Sequence, residues 1–185
     1  MNREERWRQL LRNPGCQDCR LHAAANTVCL IGDGPVPCDV MLIGEAPGAS
    51  EDELGKPFVG TSGKVLNRAL ERAGLPRNEI FVTNTAKCRP PNNRTPRMPE
   101  VRACRPYLQR ELEEVKPRFI LLLGAIALSL LQKQGVENSR GQVYDFNGSR
   151  VMATFHPAAR GRRRQSMFHA DIEAFAGLVR ETHLP

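Results

Sequence analysis

The sequence predicts an α/β fold, three-layer α/β/α with a central four-stranded parallel sheet, and three observations carry that expectation. Short apolar runs alternate with stretches of helical periodicity along the chain. The runs are continuously apolar, as strands covered on both faces must be. A length of 185 residues allows one sizeable core and hardly two, so a single domain over 1–185 is expected.

Taken in order, residues 2–12 place Trp7, Leu10 and Leu11 on one side of a short amphipathic helix. A first strand at 40–43 is closed by Gly44. Residues 62–73 carry Val65, Leu66, Ala69, Leu70 and Ala73 at helical spacing, with Ser62 as N-cap and Gly74 as the stop. A second strand follows at 80–83, then a Pro- and Arg-rich loop at 89–99 and a helix at 100–115. A third strand at 119–123, a helix at 125–132, a fourth strand at 150–155 and a closing helix at 168–181 complete the pattern. Sheets of this kind collect function at the carboxyl ends of their strands. Gly44-Glu45, Asn84, Gly124 and His156 therefore share one edge.

Lys and Arg outnumber Asp and Glu by 27 to 20, a net charge of +7 that favours a polyanionic partner. With 41% hydrophobic and 25% charged residues the chain is globular rather than disordered. The most apolar stretch, 119–131, is too short to cross a bilayer. The first residues are charged where a secretion signal needs an apolar core, so a cytoplasmic protein is expected. In GTSGKV, at 60–65, Val65 stands where a phosphate loop needs Ser or Thr. No G-x-G-x-x-G follows a strand either, and ATP and NAD chemistry find no support.

Six cysteines stand at 16, 19, 29, 38, 88 and 104, and a reducing compartment disfavours disulfides among them. Cys16 and Cys19 form a C-x-x-C pair, while Cys88 and Cys104 are separated by 15 residues. The two pairs can gather around a metal, or serve as small buried hydrophobes. The later pair lacks the C-x-x-C spacing of a zinc ribbon. A thioredoxin-like site is disfavoured, because the first pair follows a helix rather than a strand.

Gly44-Glu45-Ala46-Pro47-Gly48 is a rigid turn with one carboxylate, and Phe58 sits between Pro57 and Gly60 in the loop beyond. Together they describe a pocket floor with an aromatic platform for a flat ring. The segments GEAPGASEDELGKPFVGTSGKVLNRAL, VTNTAKCRPPNNRTP and TFHPAA, in that order, resemble the uracil-DNA glycosylase superfamily. The likeness is closest to the iron–sulfur family 4 of thermophilic bacteria and archaea.

That resemblance implies a monofunctional glycosylase of base excision repair, which flips uracil out of DNA and hydrolyses its N-glycosidic bond. It implies a [4Fe–4S] cluster on Cys16, Cys19, Cys88 and Cys104, with Cys29 and Cys38 as packing residues. Phe58 is then the stacking platform, Asn84 the reader of the uracil edge, and the backbone at Ala46 and Pro47 the holder of the rest. His156 donates to uracil O2 as negative charge builds there. Glu45 is the candidate for positioning water or stabilising the cationic sugar, with Asp52 a second carboxylate nearby. The better-known branch has an aspartate one position later, where Ala46 stands here. Arg160, Arg162, Arg163 and Arg164, on the loop after His156, and Arg89, Arg94 and Arg97 are expected at DNA phosphates. The expected partner is uracil-containing DNA, single- or double-stranded, bound by a monomer without membrane contact. The alternatives are altered specificity for hypoxanthine or xanthine, and a non-catalytic iron–sulfur module that recognises uracil. A branch that crosslinks to the abasic sugar is disfavoured, since no His-bearing insertion lies between Lys87 and Pro99.

Overall fold

Burial of apolar strands dictates the architecture. The computed structural model describes residues 13–181, so the expected helix at 2–12 lies outside the described residues. Strands β1 (Val40–Gly44), β2 (Phe81–Asn84), β3 (Phe119–Leu123), β4 (Tyr144–Phe146) and β5 (Ser149–Thr154) form one sheet in the order β2-β1-β3-β5-β4. Every pairing among β2, β1, β3 and β5 is parallel. The expected four-stranded sheet gains a fifth strand, β4, antiparallel to β5. It is a three-residue, partly exposed hairpin arm with no apolar run to announce it.

Among the described residues six helices flank the sheet: α1 (Ala49–Leu54), α2 (Thr61–Arg72), α3 (Met98–Val115), α4 (Ala125–Leu128), α5 (Val136–Ser139) and α6 (Arg162–Glu181). The expected helix at 125–132 is shorter, because the chain tightens into a 3-10 turn at Ser129–Leu131 and ends on left-handed Gln132. The last helix starts six residues earlier than the expected 168, so Arg162, Arg163 and Arg164 form its first turn rather than a loop. It buries Phe168, Ile172, Phe175 and Val179 along one stripe, each such side chain worth about 1.5–3 kcal/mol when fully removed from water. Asp171, also buried, accepts from Thr154 Oγ1 at 2.7 Å and from both Arg140 nitrogens Nε and Nη2, locking α6 to the end of β5.

The segment before β1 is tied to the sheet by polar contacts. Asp33 and Val82 exchange two backbone hydrogen bonds of 2.9 Å, covering the free edge of β2. Beneath it, Lys87 and Glu111 are sealed from solvent and meet at 2.6 Å. Glu111 also accepts from the Gly32 N–H at 2.7 Å and from Thr83 Oγ1 at 2.8 Å, and Lys87 Nζ donates to Thr83 Oγ1 at 2.6 Å. Removing one member leaves a buried charge uncompensated. Glu111→Ala is expected to lower unfolding stability by about 3–5 kcal/mol, read as the shift in urea denaturation; an unchanged midpoint would contradict this role.

Candidate active site

The strand register brings the carboxyl ends together. Gly44 pairs with Asn84 across β1 and β2, and Leu123 pairs with Thr154 across β3 and β5. Gly124, at φ 92°, donates its N–H to Thr154 O at 2.9 Å, and His156 follows two residues beyond Thr154. A cleft of about 540 Å³ opens at this edge, and Glu45, Ala46, Pro47, Phe58, Asn84 and His156 all line it.

Gly44 is the floor on which two of these side chains meet. A Cβ there would stand 2.5 Å from both Asn84 Oδ1 and Phe58 Cζ, so only glycine leaves room for the ring and the amide together. Phe58 is buried and left-handed at φ 55°, a conformation that costs a bulky residue about 1–3 kcal/mol. Its backbone lies against Gly63 of α2 so closely that any side chain at that position would collide with the Phe58 carbonyl. Packing thus holds the ring in a strained place.

Three carboxylates close to one another in sequence have three environments. Glu45 is half-buried in the cleft, and desolvation pushes its pKa above the ordinary 4.5 while a hydrogen bond from the Thr95 side chain opposes the rise. Its carbonyl accepts from Ala86 N–H at 3.0 Å and from Thr85 Oγ1 at 2.7 Å, so its backbone is fixed. Glu51 turns its carboxylate back onto the backbone, accepting from Gly48 N–H at 3.2 Å and from Gly60 N–H at 2.7 Å. It staples the first turn to the Phe58 loop and lines the cleft as well. The sequence reading missed Glu51, although a Glu three residues after a helix N-cap is a recognisable capping signal. Asp52 points inward, accepts from Thr27 N–H at 2.9 Å and stands 3.9 Å from Arg89 Nη1. It is absent from the cleft lining.

His156 is half-buried and lines the same cleft. The Ala158 N–H donates to its Nδ1 at 3.2 Å, which makes Nδ1 the acceptor and leaves the proton on Nε2. Burial lowers its pKa from the ordinary 6.5, while the charge on Glu51 acts in the other direction. Burial and the Nδ1 contact thus both favour the neutral imidazole.

A family model described as the uracil DNA glycosylase superfamily matches residues 31–178. The type-4 uracil-DNA glycosylase of Pyrobaculum aerophilum is 41% identical over 181 residues, covering 91% of this chain and 91% of its own. That of Saccharolobus solfataricus is 43% identical over 155 residues, 78% of this chain and 71% of its own. The type-5 uracil-DNA glycosylase of Pyrobaculum aerophilum is 33% identical over 144 residues, 68% of this chain and 63% of its own. The chain belongs to the uracil-DNA glycosylase superfamily, in its type-4 branch.

In this glycosylase-family fold the segment bearing Cys16 and Cys19 precedes the matched region, and the cysteines separate into two sets. Cys88 lies within electrostatic reach of Cys16, Cys19 and Cys29, and Cys104 within reach of Cys19 and Cys88. Cys38 sits apart in the main core, its thiol donating to Val40 O and Glu79 O at 3.2 Å each. Hydrogen-bond donors aim at three sulfurs of the first set. Cys29 N–H reaches Cys88 Sγ at 3.3 Å, Lys87 N–H reaches Cys104 Sγ at 3.3 Å, and the Tyr107 hydroxyl stands 3.4 Å from Cys16 Sγ and 3.0 Å from Asp18 Oδ2, which share its one proton. Burial pushes the Cys88 thiol up to about 11 and the Cys104 thiol to about 12. Among the described residues no three His, Cys, Asp or Glu side chains are arranged for a single metal ion.

The arginines also divide. Arg94 lines the cleft but is held by both oxygens of Glu100, at 2.8 and 2.6 Å. Arg89 donates to Asn93 Oδ1 at 2.7 Å. Arg160 and Arg162 are exposed, Arg163 stands 3.6 Å from Glu137, and Arg164 lies over the Phe155 ring at 5.7 Å. The Arg94 pair holds the Glu100 carboxyl down at about 2.

Gly44→Ala is expected to destabilise the fold by about 1–3 kcal/mol through overpacking against Phe58 and Asn84. Thermal unfolding checks it, and a wild-type Tm in that variant would contradict the shared floor.

Proposed function

We propose that the cleft excises uracil from DNA by hydrolysing its N-glycosidic bond and leaves an abasic site. The observation that carries the reading is the convergence of an aromatic face, an amide and a neutral imidazole donor on one strand edge. A base inside a duplex is hidden, so it must leave the stack to be read. Phe58 stacks on the extruded ring. The Asn84 amide accepts from uracil N3–H and donates to O4, a pattern that the cytosine edge reverses. The backbone at Ala46 and Pro47 holds the remaining edge.

As the bond to the sugar lengthens, negative charge gathers on uracil O2 and positive charge on the sugar. His156 Nε2–H donates to that oxygen, and a neutral donor in a partly desolvated site is strongly felt there. Glu45 is the carboxylate available to orient water or to stabilise the cationic sugar. Asp52 accepts from Thr27 N–H and lies outside the cleft lining, which supports Glu45 over it.

Cys16, Cys19, Cys88 and Cys104 would hold a [4Fe–4S] cluster. A cubane takes one thiolate at each iron, so its ligands stand farther apart than those of a single ion, and N–H···S contacts are normal around it. The donors aimed at Cys16, Cys88 and Cys104 fit that group. Its contribution is structural, fastening residues 13–30 to α3 and to the loop that bears Arg89 and Arg94. The exposed Arg160 and Arg162, with Arg163 and Arg164, are assigned to DNA phosphates, and the whole chain to one domain acting as a monomer. We assign the protein to the reducing cytoplasm, a reading that a DNA substrate and thiolate ligands would support. Among the described residues no helix is long and apolar enough to cross a membrane.

Incubation with a uracil-containing oligonucleotide followed by alkali is expected to cleave the strand at uracil, and no scission above the uncatalysed background would sink the reading. His156→Ala should slow excision by about 10²–10³-fold. Excision should also lose rate on the acid side. His156 must stay neutral and its pKa is lowered from 6.5, while Glu45 must stay ionised and its pKa is raised from 4.5. The acid limb is therefore expected above 4.5, and a rate that stays flat from pH 7 down to 4.5 would contradict the assignment. The purified protein should be brown with four irons per chain, and Cys88→Ala should lose both colour and iron; a colourless protein with one zinc refutes the cubane.

A further inference from the structure

We infer that Gln165 is a positioning residue for the His156 imidazole, acting through one peptide plane. The inference rests on the role given to His156 above. Gln165 stands in the first turn of α6, outside the cleft lining. Its Nε2 donates to Pro157 O at 3.1 Å and to Ala159 O at 2.6 Å. Both partners are carbonyls, so the nitrogen, not the oxygen, of the amide must face them.

The Pro157 carbonyl belongs to the same peptide unit as the Ala158 N–H. A trans peptide points its C=O and N–H in opposite directions. Drawing the carbonyl toward α6 therefore aims the N–H at His156 Nδ1, the 3.2 Å contact that leaves the proton on Nε2. A hydrogen bond at the carbonyl also polarises the peptide and strengthens its N–H as a donor. The segment is a tight turn: Ala159 N–H donates back to His156 O at 2.8 Å, and Pro157 occupies the second position, where its fixed φ is favoured. Without Gln165 the Pro157 carbonyl loses its tether to α6, and the central peptide is oriented by the Ala158 N–H contact alone.

Gln165 itself is held by a rigid element. Its own N–H donates to Gly161 O at 3.1 Å, and α6 is locked to the end of β5 through Asp171 and Thr154. The chain runs from Thr154 through His156 to the turn and back to α6. Two anchors, Asp171–Thr154 before the histidine and Gln165 on the turn after it, therefore fix the ring from both sides. Neither anchor lines the cleft.

The test is Gln165→Met, which keeps the length of the stem and removes the donor, alongside Gln165→Glu, whose carboxylate cannot donate, and Gln165→Lys, which restores one. The tautomer is read by ¹⁵N NMR of the His156 ring at pH 8, where the imidazole is neutral. Single-turnover excision and DNA affinity are measured on the same samples. In the wild type the Nε2–H form should dominate. Gln165→Met and Gln165→Glu should give a mixture of tautomers and excise on the order of tenfold more slowly, the scale of one lost hydrogen bond. DNA affinity in Gln165→Met should be unchanged, and Gln165→Lys should recover the Nε2–H form. A wild-type tautomer and rate in Gln165→Met overturn the inference. Because the ring is read without substrate, a wild-type chain that leaves uracil in DNA defeats the glycosylase reading while the Gln165 question is still decided by the spectrum.

Discussion

The buried Lys87–Glu111 pair is the contact on which both halves of the molecule depend. Two charges out of water carry a large desolvation penalty that only close pairing and further hydrogen bonds offset. Here the Gly32 N–H and the Thr83 hydroxyl supply those further bonds to Glu111. Alternation along β2 does the rest. Thr83 turns to the ion pair, and its neighbour Asn84, on the opposite face, turns to the cleft. Three residues on, Lys87 returns to the pair, and its own N–H meets Cys104 while Cys88 follows. One short stretch, 83–88, thus couples the base-reading amide, the ion pair and two cysteines, and α3 supplies Glu111 and Cys104 from the other side.

Division of labour among the carboxylates is the second theme. Glu45, Glu51 and Asp52 lie within eight positions, yet burial and donors separate them. Glu51 and Asp52 accept backbone N–H groups and serve as fasteners. Glu45 keeps its carboxylate in the cleft. No count of acidic residues distinguishes such roles; only the donors facing each oxygen do.

The parallel strands were legible as short apolar runs, continuous in β1 and β3 up to the closing Gly44 and interrupted by Thr83 in β2 and Arg150 in β5. The strand-end residues Glu45, Asn84 and His156 were legible for the same reason, since chain order in such a sheet dictates what reaches its carboxyl edge. β4 escaped because three half-exposed residues carry no periodic signal. α1 escaped because six residues between two glycine-rich turns read as loop. The early start of α6 escaped because its first turn is three arginines, which are good helix formers but give no apolar stripe. Gln165 was invisible for a different reason. Its importance lies in which carbonyls it meets, and nothing in the order of residues announces that the turn after His156 folds back onto the helix.

The two sides of the sheet end differently, and this bears on behaviour at high concentration. At β2 the Asp33 backbone occupies the hydrogen-bonding groups that a neighbouring molecule would otherwise pair with. At the other side the outermost strand is only three residues long and closes through Asn147 and Gly148, both at positive φ, a geometry that twists a hairpin tightly. A ladder that short offers little template for another chain. A parallel sheet is slow to assemble and exposes its strands while doing so, and these two terminations blunt the route by which partly folded copies would zip together into aggregates.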